Sequence, residues 1–328
     1  MPANATAYSP KEWSVWVKKE VTAGTTVLAT TGMYQLDVDS VGFPSLNPTQ
    51  VLDVRTGAGR TFKADDFFQD NVMRTVEMSV SGTLHNDAGH KLLLQNICNS
   101  FAEPVIVATA WTPPTITYAV ANTTDSEETM TLVVKAPDHS SAQSMVLNGC
   151  VVTSFNYTSD AGTEGGRLKF NATLQTGIQP TLNEATTLAG DNLFANSTDM
   201  FLSSASAKKI NNIDVLMQSF GVTIENPAVF AGISSTGYEI VGRGSEISVT
   251  AESVIKYDST TDGLINYFDA QTTSMATNAF AVTSSDNWGA TIDNGVFTDV
   301  SLNEGDFMQL NVAIKAVDDS ATLLSIDV

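Results

Sequence analysis

One amphipathic strand is written twice in this chain. Residues 74–84 read RTVEMSVSGTL, with Val76, Met78, Val80 and Leu84 alternating against Thr75, Glu77, Ser79, Ser81 and Thr83. Alternation with a period of two buries one face of a strand and wets the other. Residues 243–253 read RGSEISVTAES, where Arg243, Glu246, Ser248 and Val249 match Arg74, Glu77, Ser79 and Val80 in the same phase.

The elements around the two strands also match in order. DAGHKLLLQNICNSF (87–101) offers Asp87 as a helix cap and Leu94, Ile97, Cys98 and Phe101 at the spacing of a buried helical face. TTDGLINYFDA (260–270) repeats this in short form, with Asp262 as the cap and Leu264, Tyr267 and Phe268 on one side. NGCVVTSFNYTSDAGTEGGRLKFNATLQTG (148–177) predicts a hairpin that buries Leu168, Phe170, Ala172 and Leu174, and NGVFTDVSLNEGDFMQLNVAIKAV (294–317) predicts a second. Leu92 then aligns with Leu264, Gly149 with Gly295, and Asn171 with Asn311. The expectation is a duplicated, mainly β chain with one short helix per copy: a first domain over 1–177, a polar connection over 178–209 and a second domain over 210–328. The rival is two unrelated β domains that share generic strand statistics.

Composition narrows the function. The 328 residues are 42% hydrophobic and 16% charged, which excludes a highly charged disordered chain. No apolar run reaches membrane-spanning length, and MPANATAYSPKEW lacks the pattern of a secretory signal. Lys and Arg number 16 against 36 Asp and Glu, a net charge of −20, so a nucleic-acid grip through phosphate contacts is not expected. Residues 1–180 carry 11 basic and 17 acidic side chains (net −6), and residues 181–328 carry 5 and 19 (net −14). The charge serves either solubility or a surface built to let nucleic acid pass without sticking.

No catalytic constellation stands out. A nucleophile elbow, a phosphate loop and a dinucleotide fingerprint are all missing from the sequence. His85 and His90 flank NDAG and read as polar loop residues rather than as a metal pair. Asp37 and Asp39 lie on one strand face without a calcium-loop or glycosidase pattern. Trp13, Trp16, Trp111 and Trp288 are scattered, which suits packing rather than a stacking platform. Cys98 and Cys150 leave a disulfide open, with two buried free thiols favoured. Neither a cofactor, a metal nor an enzymatic activity is expected.

On VEMSVSGTLHNDAGHKLLLQNICNSF, the hairpin NGCVVTSFNYTSDAGTEGGRLKFNATL and their second copies, residues 12–317 resemble the major tail tube proteins of long-tailed bacteriophages. The resemblance rests on layout, composition and order. It implies a β-sandwich or barrel with a packed helix in each domain, and subunits that form rings stacking into a hollow tube. Members of that family mostly carry one such domain and make six-fold rings. Two domains per chain imply a ring of three chains with pseudo-six-fold symmetry, or else of six chains. The implied setting is a virion tail made in a host cytoplasm, with tape measure, tail terminator and distal tail proteins as further partners and DNA passing through. Glu77, Glu246 and Glu252 become candidates for the lumen. Loops 55–70 and 232–244, with Arg55, Arg60, Lys63, Asp65, Tyr238 and Arg243, become candidates for ring stacking, with the N-terminal arm and residues 178–209. The alternatives are another virion protein (coat, decoration or fibre) and a carbohydrate-binding or hydrolytic β-sandwich.

Overall fold

A computed structural model describes residues 9–27, 32–43, 49–52, 66–70, 75–98, 118–119, 129–137, 144–184, 199–234, 237–244, 246–269, 274–275, 278–285, 288–305, 307–317 and 323–327. The chain is mainly β. A 13-stranded sheet runs through both halves. Its main path, from one edge, is Val38–Gly42, Val76–Thr83, Lys169–Thr176, Ser144–Asp160, Met217–Glu225, Ser248–Lys256, Met308–Ala316, Gly295–Glu304 and the short Ser274–Met275. The strands Ser14–Lys19, Tyr34–Leu36, Met130–Lys135 and Thr181–Glu184 branch from it through the first part of Ser144–Asp160. A second, six-stranded sheet includes Ala205–Ile210, Phe280–Ser284, Gly289–Ile292 and Ser325–Asp327.

The same pairing scheme occurs twice along the large sheet. Val38 lies opposite Gly82 and Ser40 opposite Ser81, so Asp39 is an extra, bulged residue. Met217 lies opposite Ile255 and Ser219 opposite Val254, so Gln218 bulges at the same place. Gly42 and Gly221 then hold the same position. In the hairpins, Thr153 is skipped between Leu174↔Val152 and Thr173↔Ser154. Thr298 is skipped between Ile314↔Phe297 and Ala313↔Asp299. Two bulges in matching positions bend the two four-strand sets alike. Asn171 and Asn311 keep the alignment read from sequence: they face Ser81 and Val254, the first residues past the first bulge.

Two alignments shift. Gly82 corresponds to Ile255, so Glu77 corresponds to Thr250 and not to Glu246. The matched bulges likewise place Gly295 beside Cys150 rather than Gly149. The 178–209 segment is also more than a connection. Thr181–Glu184 pairs with the strand end at Ser144–Val146, and Ala205–Ile210 belongs to the second sheet. Residues 185–198 lie outside the described set.

The predicted helix forms over Ala88–Ile97. Asp87 caps it by accepting from the His90 main-chain N–H at 2.9 Å. It packs on Ser144–Asp160, Ser14–Lys19 and Tyr34–Leu36, with Leu92, Leu94 and Ile97 fully buried. The second helical segment is a 3-10 turn over Asp262–Leu264 followed by Asn266–Asp269. Thr261, rather than Asp262, precedes that turn.

The halves meet where Met217–Glu225 pairs antiparallel with Ser154–Asp160, from Ser219↔Asp160 to Glu225↔Ser154. The core is continuous across this joint. Phe155 stacks on Phe170, Tyr157 meets Phe220 edge-on at 5.9 Å, and Phe220 stacks on Trp288. Burying each of these side chains is worth roughly 1.5–3 kcal/mol. Beneath the first half, the buried Glu20 carboxylate accepts from the Gly24 and Gly149 N–H groups at 2.7 and 2.9 Å, from Thr131 Oγ1 at 2.8 Å and from Thr129 Oγ1. It ties the loop after Ser14–Lys19 to the sheet.

Candidate functional site

Alternation on both sets of strands sends small polar side chains to one face of the large sheet. One row across it reads Thr83, Lys169, Thr158, Gly221, Glu252, Ala313 and Asp299. The next reads Ser81, Asn171, Asn156, Thr223, Thr250 and Lys315. Side chains stitch neighbouring strands together: Asn156 Nδ2 donates to Thr223 Oγ1 at 2.6 Å across the joint, and Gln175 Nε2 donates to Glu77 at 2.9 Å. A groove of about 680 Å³ lies over the joint, lined by residues of both halves including Asn156, Asp160, Ser219, Glu252 and Asp299. Phe220, its one aromatic lining residue, is buried.

The charge on this face is acidic, with its cations held. Glu77, Asp160, Glu225, Glu252 and Asp299 are exposed. Lys169 bonds Asp39 and Glu164, each at 3.0 Å, and these partners raise its pKa against the lowering effect of partial burial. Lys315 meets Glu246 at 3.1 Å, and Lys256 meets Asp258 at 3.3 Å. Each of these ammonium groups is therefore answered by a carboxylate, and the unanswered charge is negative. Glu77, Glu246 and Glu252 all lie on this polar side. Glu246 precedes its strand, which begins at Ser248.

The residues proposed for stacking loops divide. Arg55, Arg60, Lys63 and Asp65 lie outside the described residues. The Tyr238 backbone belongs to the hairpin Ala228–Ser234/Gly237–Arg243, which among the described residues pairs with no other strand. Arg243 is held within the chain. Its guanidinium points inward and donates to Val152 O at 2.7 Å, Asn226 O at 3.0 Å, Asn96 O at 2.9 Å and Asn96 Oδ1 at 3.1 Å. Asn226 adds bonds to Ile97 O and Thr153 O. Together they staple the base of the hairpin to the C-terminal end of the helix, where free carbonyls and the helix dipole favour a cation. Burial lowers the Arg243 pKa to about 10, so it stays charged at neutral pH.

His85 and His90 are also corrected: both are fully buried, not loop residues in water. His85 Nε2 bonds Asp37 at 2.8 Å, and His90 Nδ1 bonds Asp87 at 2.7 Å. Asp199, 4.0 Å from His85, takes Arg167 at 2.7 Å. The segments that cover these rings are distant in sequence, which is why a local reading placed them in a loop. Cys98 and Cys150 are free, buried thiols, and burial pushes Cys98 up to about 12 and Cys150 well above its ordinary value. Trp16 and Trp288 are core residues; Trp111 lies outside the described set.

Among the described residues no group of three or more His, Cys, Asp and Glu side chains is placed to hold a metal. No described helix is long and apolar enough to cross a membrane. No protein family matches the chain, and no curated protein is similar to it in sequence.

Proposed function

We propose that the chain is a duplicated, non-enzymatic structural subunit that assembles into stacked rings, forming the hollow tail tube of a long-tailed bacteriophage. The observation that carries this reading is the polar sheet face: small hydroxyl and amide side chains, exposed carboxylates, and lysines each paired to an acid. Among its described residues such a wall offers a duplex no unpaired lysine to hold its phosphates, and a net negative field repels it weakly along its length. A genome would slide past it. The repeated pairing scheme adds weight, because one chain then supplies two pseudo-equivalent units and three chains supply a six-unit ring, with six chains the alternative. Tape measure, terminator and distal tail proteins would be its further partners in the virion.

The groove over the joint does not favour a glycan site, since a sugar platform needs an exposed ring and Phe220 is buried. Negative-stain microscopy of the purified protein tests the proposal. Stacked rings or tubes are expected; closed shells, spikes or monodisperse monomers would replace it with another assembly or none.

A further inference from the structure

The joint inside the chain is a template for a joint between chains. Met217–Glu225 pairs with Ser154–Asp160, and each of these strands has a counterpart at a sheet edge. Val38–Gly42 shares the bulge and the terminal glycine of Met217–Gly221. The strand after Thr298 shares the bulge and hairpin partner pattern of the strand after Thr153. Among the described residues Val38–Gly42 ends the large sheet on one side. On the other side Ser274–Met275 covers only Gly295 and Val296, so among the described residues the rest of Gly295–Glu304 has no further strand beside it.

We propose that the Val38–Gly42 edge of one copy pairs antiparallel with the Gly295–Glu304 edge of a second copy, in the register of the internal joint. Gly221↔Thr158 then becomes Gly42 opposite Asn303, and Val222↔Tyr157 becomes Phe43 opposite Leu302. Exposure marks those positions. Val222 and Tyr157 are 0% and 2% exposed at the joint, whereas Phe43 and Leu302 are 48% and 51% exposed at the edges. Phe220 and Phe155 are buried, whereas their counterparts Val41 and Val300 are half-buried. Phe43 is further backed by Trp13, whose ring meets it edge-on at 5.7 Å. Unpaired edges with apolar side chains invite strand pairing, and a one-residue slip would turn Phe43 toward the polar face. The contact is head-to-tail, so repeating it either closes a ring or extends a filament. Only the closure rests on the ring reading above; the pairing follows from the internal joint.

The test is oxidative cross-linking of Phe43→Cys combined with Leu302→Cys, run on non-reducing gels, with the native cysteines left buried. A ladder of dimers and trimers is expected. Phe43→Cys with Asn303→Cys, whose side chains point to opposite faces, should give at least tenfold less. Leu302→Lys, at an already exposed position, should keep the circular dichroism of the monomer and lose the oligomer. Rings seen by microscopy without the Phe43–Leu302 ladder overturn this joint and leave the ring reading standing. The ladder with open chains and no rings upholds the joint and removes the ring. Neither ladder nor rings removes both.

Discussion

Arg243 and Asn96 are joined twice: the guanidinium donates to the Asn96 main-chain oxygen at 2.9 Å and to its side-chain oxygen at 3.1 Å. This pair links the second half of the chain to the last turn of the helix in the first half. Arg243→Ala removes the guanidinium from the Val152, Asn226 and Asn96 oxygens, although Asn96 Oδ1 keeps the Val152 N–H at 2.6 Å. The expected loss is about 2–4 kcal/mol of unfolding free energy in denaturant titrations, with Arg243→Lys recovering little because one ammonium cannot span four acceptors. A side chain that acted only in ring stacking would leave monomer stability unchanged.

Glu20 makes a second internal test. Its carboxylate faces four donors and no described cation. Glu20→Gln turns an NH₂ group toward N–H and O–H groups that need an acceptor. Thermal melts should show a loss of about 1–3 kcal/mol despite the near-identical shape.

Acid should weaken the fold in two steps. Burial pushes His85 below its ordinary 6.5, against the opposing effect of its hydrogen bond to the Asp37 carboxylate. A lowered histidine pKa means that the unfolded chain takes up the proton first, so the stability is present above about pH 6.5 and is lost as pH falls below it. Burial alone would raise Asp87, but the His90 ring and its hydrogen bonds hold it below 3.8, so its contribution is lost at still lower pH. Denaturant midpoints should fall between pH 7.5 and 4 and again below about pH 3.8, and His85→Gln should flatten the part of the slope just below pH 6.5.

Much of this arrangement is legible in the sequence, and its failures have physical causes. The helix at Ala88–Ile97 is readable because Asp87 and the Leu94–Ile97–Cys98 spacing are local signals. The hairpin residues Leu168, Phe170, Ala172 and Leu174 are buried as the alternation predicts. The Glu77–Glu246 match misleads because alternation survives any even shift, so phase alone cannot fix register; the bulges at Asp39 and Gln218 fix it, and they leave no pattern in composition. Arg243 looked like a loop cation because its acceptors, three main-chain oxygens and the Asn96 side chain, belong to other segments of the chain. His85 is hidden by Asp37 and its neighbours in the same way.

The acidic face predicts a change of behaviour toward DNA. Glu252→Lys with Asp299→Lys places two cations on one row of an exposed surface, where substitutions usually change stability by no more than about 0.5 kcal/mol. Assemblies of the unmodified protein should retain no duplex at about 50 mM salt, while the variant should retain it and release it near 200 mM. Equal retention by both would remove the argument from charge.

If the Ser/Thr/Asn-lined acidic face is the wall of a channel, cryo-microscopy of the assembled protein will show that face looking inward. Rings are expected in which Glu77, Glu252 and Asp299 line the bore and the helix Ala88–Ile97 lies on the outer side of the sheet. A ring with that face turned outward, or a bore lined by unpaired lysine and arginine, would contradict it.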